Sequence, residues 1–249
     1  MRKKIVIIGA TSTIAEFCAK EWILETNTEI ILVGRNAEQL EIISQDLLVR
    51  APQNRVAIII LTDFTDPTEI KNMTQEICAR GIPDIVLIAH GCLPEQKKCQ
   101  HDLLNCKAAL EINGISPILF AEAFAEPMDN ANGGTIAVIG SVAGDRGRES
   151  NYIYGAGKEL VARYIQGMQQ RFHGRNVRII LIKPGPTDTK MTARLKNSRL
   201  KLADPSKVAA CIIKGIKKRK LIIYVPKKWA IIMMIIRHTP TFIIKKLKI

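Results

Sequence analysis

The sequence predicts an α/β protein in which helices cover both faces of a doubly wound, seven-stranded parallel sheet. Short apolar runs alternate with amphipathic stretches from residue 4 to residue 225, which is the pattern of parallel strands joined by crossover helices. The chain has 249 residues, of which 47% are hydrophobic and 24% charged, an ordinary composition for one sizeable core. These observations exclude a disordered chain and a small disulfide-stapled scaffold.

Each predicted strand is a short apolar run bounded by polar or turn-forming residues. The seven runs are residues 4–8, 29–33, 55–61, 84–89, 135–139, 177–182 and 221–225. A repeat of strand and helix of this kind is typical of the Rossmann-type fold.

The predicted helices are the amphipathic stretches between these strands. They cover residues 13–24, 37–50, 67–80, 106–128, 152–172 and 205–218. Asp66 and Asp204 each stand directly before a proline, which places a capping carboxylate before a first helical residue that needs no amide hydrogen. Gly174 follows the fifth helix, in a position where glycine commonly ends helices.

The net charge of +14 belongs almost entirely to the end of the chain. Residues 1–193 carry 21 lysines and arginines against 22 acidic residues, whereas residues 194–249 carry 16 against Asp204 alone. Six cysteines are scattered without metal-ligand spacing, so we expect neither a disulfide framework nor a metal site. The chain is expected to form one domain over residues 1–226, followed by a basic amphipathic extension over residues 227–249.

The extension contains two short apolar stretches bracketed by lysines and arginines, with Trp229 at one boundary. This composition suits a segment that lies on an anionic membrane surface, and no stretch of the chain reaches the ~18 apolar residues of a spanning helix. Packing on the domain or on a second subunit would explain the apolar residues but not the density of charge. Nucleic acid is the weakest partner, since few aromatic residues are available for stacking. We therefore expect a cytoplasmic protein held peripherally at the inner membrane face.

The first predicted strand runs into a turn at residues 9–15, where backbone N–H groups and a helix N-terminus can receive a pyrophosphate. Gly9 is the only glycine of the usual three, so a plain strand-to-helix turn is the alternative. Arg35 and Asn36 follow the second strand without a carboxylate, which favours the 2′-phosphate of NADP(H) over NAD(H), although Arg35 could be a solvated surface residue. Asp63, after the third strand, either accepts from an adenine amino group or is an ordinary cap for residues 65–67.

Ser141 ends the fifth predicted strand, and Tyr154 and Lys158 lie four residues apart on one face of the following helix. A phenol with a pKa near ~10 is a poor acid–base catalyst at neutral pH. A lysine ammonium one helical turn away is expected to stabilise the phenolate and to lower the pKa of Tyr154. The alternative is a chance tyrosine and lysine on an amphipathic helix.

Five sequence motifs make the chain resemble the short-chain dehydrogenase/reductase family over residues 4–225. The motifs are Tyr154-x-x-x-Lys158, Ser141 thirteen residues before the tyrosine, Asn113 in Glu111-Ile112-Asn113, Ala89-His90-Gly91 after the fourth strand, and Pro184-Gly185-Pro186-Thr187-Asp188-Thr189 after the sixth. Thr13 and Ala15 depart from the family pattern, which commonly has glycines there. The four histidines show no ligand spacing and receive no chemical role.

The resemblance implies an NAD(P)H-dependent oxidoreductase. Tyr154 would donate a proton to the nascent alkoxide while Ser141 holds the carbonyl. Lys158 would bind the nicotinamide ribose and tune Tyr154, and Asn113 would position a water in the proton relay. The expected cofactor contacts are Gly9, Thr11, Ser12, Thr13, Ile14, Arg35, Asn36, Asp63, Phe64, Ala89, Gly91, Tyr154, Lys158, Pro184, Gly185, Thr187 and Thr189.

The segment 144–148, the approach 150–154 and the tail segment 233–240 are similar to decaprenylphosphoryl-2-keto-β-D-erythro-pentose reductases. This resemblance implies a lipid-linked keto-sugar substrate and a partner oxidase, and the wider family implies a homodimer or homotetramer. We expect Arg146 and Arg148 to bind the substrate phosphate, with a solvated pair as the alternative. Reduction of another lipid ketone (a 3-oxoacyl group or a long-chain keto base) and a non-catalytic nucleotide-binding scaffold are the alternative functions.

Overall fold

The computed structural model describes residues 2–195 and 201–244, in which seven parallel strands form one sheet in the order β3-β2-β1-β4-β5-β6-β7. The strands are β1 (Lys3–Ile8), β2 (Thr28–Gly34), β3 (Arg55–Ile60), β4 (Ile85–Ile88), β5 (Gly134–Ile139), β6 (Val177–Pro184) and β7 (Ile222–Val225). Ile8 of β1 pairs with Val33 of β2 and with Ile88 of β4. The predicted fold class is confirmed.

The helices follow the strands around the sheet. They are α1 (Thr13–Trp22), α2 (Ala37–Arg50), α3 (Pro67–Ala79), α4 (Gln96–His101), α5 (Leu103–Leu110), α6 (Ser116–Asn130), α7 (Tyr152–Arg171), α8 (Pro205–Lys217), α9 (Lys228–His238) and α10 (Thr241–Ile244). The predicted caps of α3 and α8 form, because the Asp66 carboxylate accepts from the Thr68 amide at 2.7 Å and that of Asp204 from the Ser206 amide at 2.8 Å.

The sheet is buried on both faces by two separate apolar cores. Side chains alternate along β1, so Ile5 and Ile7 enter the core under α1, α2 and α8, while Val6 and Ile8 enter the core under α3, α6 and α7. Burial on both faces explains why the strands appear in the sequence as continuous apolar runs.

The helix predicted at 106–128 is longer and is interrupted. A π-helical turn at Glu111–Ile115 separates α5 from α6, and the whole helical segment runs from Leu103 to Asn130. Within the described residues this segment alone is long and apolar enough to cross a membrane; its 18-residue window has a mean hydropathy of 1.2, and half of that window is buried. Phe120 and Phe124 are fully buried in the core, as expected for a helix packed on a sheet. The expectation that no stretch of the chain is long and apolar enough to span a membrane was therefore wrong for Leu103–Asn130.

The loops that follow β1, β4, β5 and β6 meet at the carboxyl edge of the sheet, where the strand order reverses between β1 and β4. Ligands of doubly wound folds bind in the crevice at this point. The predicted extension begins as α9, which packs on β7 and buries Met233 completely. Residues 245–249 of the extension lie outside the described residues.

Candidate active site

A cleft of about 440 Å³ opens at the carboxyl edge of the sheet. Most of the residues that the sequence predicts for the site line it: Gly9, Thr11, Ser12, Thr13, Ile14, Arg35, Asn36, Phe64, Ala89, Gly91, Ser141, Arg148, Tyr154, Lys158, Pro184, Gly185, Thr187 and Thr189. Asp63, Asn113 and Arg146 are not among the residues that line the cleft. The structure therefore brings the predicted cofactor contacts and the predicted catalytic residues Ser141, Tyr154 and Lys158 into one cavity.

The turn after β1 has the shape of a phosphate cradle. Gly9 has a φ of +79°, and a Cβ at this position would lie 2.6 Å from the Cβ of His90. Ser12, the N-cap of α1, makes no side-chain capping bond, which leaves the first amides of the helix available to a ligand. One glycine therefore suffices for the tight approach, and the cradle fits a dinucleotide pyrophosphate.

His90 lines the cleft although the sequence analysis gave it no role. The Ser116 hydroxyl donates to the Phe64 carbonyl at 2.5 Å, so the His90 Nε2, 2.8 Å from the Ser116 oxygen, is the donor of that pair. Nδ1 is then an acceptor, and it is buried without a partner in the described part of the chain. Burial, together with the positive charges of Lys158 and Arg35, lowers the pKa of His90 to about 3, so the ring is neutral at working pH.

The end of β2 carries the predicted phosphate ligands. The Arg35 guanidinium lies 5.9 Å from the centroid of the Phe64 ring, and the Asn36 side chain accepts from the Gln39 amide at 3.0 Å as the N-cap of α2. Arg35 therefore stands over an aromatic wall at the edge of the cleft. The expectation that it selects NADP(H) stays a prediction.

Asp63 lies outside the cleft and acts locally as a turn-forming residue. Its carboxylate accepts from the Thr65 amide at 2.7 Å and from the Thr65 hydroxyl at 2.6 Å, and these hydrogen bonds lower the pKa of Asp63. It lines a neighbouring cavity of about 460 Å³ that shares Arg35 and Phe64 with the cleft. Asp63 therefore caps the turn at Thr65, and Asp66 caps α3.

Three groups of the predicted catalytic set meet on one wall of the cleft. Ser141 lies two residues after the end of β5, and its hydroxyl oxygen accepts from the Ala143 amide at 3.1 Å. Tyr154 and Lys158 project from α7 into the same cavity, with the Lys158 Nζ 5.9 Å from the centroid of the Tyr154 ring. Lys158 donates to the Ile139 carbonyl at 3.1 Å, so the end of β5 holds the amine as well as the serine.

The expectation that Lys158 lowers the pKa of Tyr154 is wrong for this arrangement. Burial raises the pKa of the Tyr154 hydroxyl, and a hydrogen bond with Ser141 opposes the rise only in part. The same burial lowers the pKa of Lys158 to about 8, because the ammonium loses its hydration. Tyr154 is therefore a protonated acid over the neutral range.

Asn113 is fully buried in the π-helical turn, one layer behind the cleft wall. Its carbonyl oxygen accepts from the Cys92 amide at 2.9 Å, and its amide donates to the Ala109 carbonyl at 2.9 Å. Gly91 has a φ of +150°, and a Cβ there would lie 2.8 Å from the Asn113 carbonyl oxygen. Asn113 thus fixes the loop after β4, and its role in positioning a water stays a prediction.

The two predicted phosphate ligands occupy different places. Arg148 lines the cleft and its guanidinium is half-buried, whereas Arg146 does not line it. Burial lowers the pKa of Arg148, and its Nε is buried without a partner in the described ranges. The arrangement favours Arg148 and disfavours Arg146 as a ligand for a bound anion.

The cleft is also lined by residues that were not predicted from the sequence. They are Gly34, His90, Cys92, Leu93, Ile112, Ile139, Gly140, Val142, Ala143, Asn151, Pro186, Lys190, Met191 and Thr192. Most adjoin a motif residue in the same turn, so their position followed from the motif. For Met191 and Thr192, in the 3-10 turn after β6, the sequence offered no signal.

Comparison with known proteins agrees with this geometry. A model of the family described as short chain dehydrogenase matches residues 3–200. Uncharacterized oxidoreductases of Mycobacterium tuberculosis and Streptomyces coelicolor are 26% and 24% identical to the chain, and the matches cover 98% of this chain and 96% of each relative.

Solved structures share the fold at lower identity. A short-chain dehydrogenase of Sphingobium yanoikuyae in complex with NADPH has a TM-score of 0.84 at 19% identity, with 98% of this chain and 96% of that one covered. A short-chain dehydrogenase of Burkholderia cenocepacia in complex with NADP has a TM-score of 0.82 at 17% identity, with 99% and 97% covered. Since the family model spans most of the chain, and Ser141, Tyr154 and Lys158 meet in one cleft, the chain belongs to the short-chain dehydrogenase/reductase family and is an NAD(P)H-dependent oxidoreductase.

Proposed function

We propose that this oxidoreductase is an NADP(H)-dependent carbonyl reductase of a lipid-linked, phosphorylated keto-sugar, a polyprenyl-phosphate 2-keto-pentose. The observation that carries the proposal is the half-buried Arg148 guanidinium in the same cleft as Ser141 and Tyr154. The similarity of segments 144–148 and 150–154 to the keto-pentose reductases supports it further.

The residues of the cleft divide the chemistry in a simple way. A nicotinamide cofactor held in the cleft would supply the hydride. Ser141 donates a hydrogen bond to the substrate carbonyl, and Tyr154 gives its proton to that oxygen as negative charge develops. Lys158, held by the Ile139 carbonyl, supplies positive charge beside the phenol and a donor for a ribose hydroxyl. The cradle at Gly9 and the open amides of α1 would hold the cofactor phosphates.

Arg148 is a half-buried cation, and the acid that interacts with it, Asp145, is already paired with another cation. The Asp145 carboxylate forms a buried ion pair with Lys183 and accepts a hydrogen bond from the Tyr224 hydroxyl at 2.8 Å. Within the described ranges the contact made by Arg148 is that of Nη2 with the Met233 sulfur at 3.9 Å. A desolvated guanidinium without a carboxylate favours binding of an anion, and a phosphate matches its fork of N–H donors.

Neutralising Arg148 tests the substrate class. In Arg148→Gln, KM for a phosphorylated ketone is expected to rise about 10- to 100-fold, the range of one or two hydrogen bonds to a charged group. KM for an uncharged ketone should change little, and Arg146→Gln, in the same loop but outside the cleft lining, is the matched control. If Arg148→Gln changed KM equally for both substrates, the proposal of a phosphorylated substrate would be refuted, and another lipid ketone would be favoured as the substrate.

The cofactor preference rests on Arg35 at the end of β2, where no carboxylate stands to bind a free ribose. We expect kcat/KM with NADPH to exceed that with NADH by at least about tenfold, and Arg35→Ser to reduce this ratio. Arg50→Ser, at the far end of α2, is the control and should leave the ratio unchanged. A wild-type preference for NADH would refute the assignment.

A further inference from the structure

The central part of α9, residues 229–236, is apolar around its whole circumference, yet only one side of it is covered. Met233 is fully buried, while Ile231, Met234 and Ile235 are 62%, 50% and 60% exposed. A helix that is apolar all round is ordinarily buried all round. The exposed stripe, which we name the outer face of α9 (Ile231, Met234 and Ile235), therefore lacks a cover within the described part of the chain.

The opposite side of α9 packs against two residues that line the active-site cleft, Gly185 and Arg148. A Cβ on Gly185 would lie 2.0 Å from the indole nitrogen of Trp229, so α9 approaches the segment after β6 closely. Met233 contacts the Arg148 guanidinium at 3.9 Å. Both Gly185 and Arg148 line the cleft, which makes α9 a support of its wall. What covers the outer face therefore lies one helix away from the catalytic cavity.

The surroundings of the outer face are strongly basic. Lys227 and Lys228 are exposed at the start of α9, and Arg237 is exposed near its end. Phe242 in α10 adds an apolar side chain that is 68% exposed. Residues 205–249 contain no aspartate or glutamate. An apolar stripe with a basic rim matches the interface of an anionic bilayer, where side chains enter the headgroup region and lysines meet lipid phosphates.

The geometry points to the outer face of α9 as the surface by which this enzyme docks on an anionic lipid bilayer. A second copy of the chain is the competing cover. A two-fold interface would set the basic rim of one copy against the same rim of the other, and residues 205–249 supply no acidic side chains to compensate. Charge complementarity therefore selects the membrane.

Docking through the outer face of α9 would bring the cleft wall close to the lipid surface. The consequence for catalysis rests on the proposed function, because it requires a lipid-linked substrate whose phosphate reaches Arg148 while its hydrocarbon chain stays in the bilayer. The docking itself depends only on α9 and its rim. Membrane binding and substrate identity can therefore fail separately.

Co-sedimentation with vesicles tests the proposal on the full chain. The protein is expected to bind vesicles of phosphatidylcholine mixed with phosphatidylglycerol, to bind phosphatidylcholine vesicles far less, and to dissociate at high salt. The double variant Ile231→Asp with Ile235→Asp should bind at least about tenfold more weakly, since two buried apolar contacts are lost. Lys227→Gln and Lys228→Gln should each weaken binding about fivefold.

Val49→Asp is the matched control, because Val49 is 83% exposed on α2, away from α9. It should bind vesicles like the wild type, and fluorescence titration with NADPH shows that every variant is folded. Equal binding of the double variant and the wild type would overturn the proposal. The proposal would also be overturned if the wild type were a dimer that does not bind vesicles and the double variant were a monomer. That result would identify a second copy of the chain as the cover of the outer face.

Discussion

Burial sets the protonation of Tyr154 and Lys158, the two groups at the centre of the site. The pKa of Tyr154 is raised and that of Lys158 is lowered to about 8, because both charged forms lose solvation beside the end of β5. Their places on one helix face could be predicted from spacing alone. Their pKa values could not, since spacing along a helix says nothing about desolvation by a neighbouring strand.

The pH profile of carbonyl reduction should follow Lys158. As pH rises through about 8 the buried amine loses its proton and its charge, while Tyr154 is still protonated, so kcat/KM is expected to be level below this pH and to fall above it. Lys158→Arg keeps the cation and should move the fall to higher pH. An unchanged inflection in this variant would show that another group titrates.

His90 and Asp63 show where residue-level prediction reaches its limit. His90 has no ligand spacing in the sequence, and only the fold places it beside the cradle of Gly9, with an Nδ1 that lacks a partner among the described residues. Asp63 stands at the expected strand end, but its carboxylate is held by Thr65 two residues later. An aspartate at the end of a strand can form a local turn hydrogen bond or contact a ligand, and a single sequence does not distinguish these two roles.

A buried polar cluster ties the 3-10 turn Val142–Asp145, which directly follows Ser141, to the last two strands of the sheet. Lys183 from β6 and Tyr224 from β7 both bind the Asp145 carboxylate, and the side chains of Lys183 and Asp145 are 4% and 2% exposed. The bond to Asp145 and burial raise the pKa of Tyr224 to about 12. We infer that this cluster positions the loop that carries Ser141 and Arg148.

Breaking the cluster should destabilise the domain. Asp145→Asn leaves the Lys183 ammonium buried without its counter-charge and is expected to lower the free energy of unfolding by about 3 kcal/mol. Tyr224→Phe removes one hydrogen bond to a charged group and should cost about 2 kcal/mol. Urea denaturation measures both, with the exposed pair of Asp46 and Arg50 as reference, where Asp46→Asn should have far less effect. Equal losses for Asp145→Asn and Asp46→Asn would contradict the role of the cluster.

Element prediction succeeded where periodicity was uninterrupted and failed where one residue was inserted. The strands agree with expectation within two residues because burial on both faces leaves a plain apolar run. The π-helical turn at Glu111–Ile115 escaped prediction, since one extra residue shifts the helical phase without changing composition. Helix α4 (Gln96–His101) was missed because it is short and largely polar.

At the scale of the whole molecule, the fold brings four loop segments that are far apart in sequence to one edge of the sheet. The alternation of strands and helices predicts this edge, because all parallel strands end there. The place of α9 followed less directly, since its composition fits a membrane, a subunit and the domain alike. Assembly as a dimer or tetramer and the partner oxidase stay predictions.

Tyr154 is expected to donate the proton in a carbonyl reduction performed in this cleft. The direct measurement is oxidation of NADPH with a ketone substrate by Tyr154→Phe, with Tyr152→Phe, two residues away and 43% exposed, as the control. Loss of the general acid is expected to lower kcat of Tyr154→Phe by at least about 10²-fold while NADPH binding and the control stay at wild-type level. A Tyr154→Phe enzyme that turns over like the wild type would contradict the account.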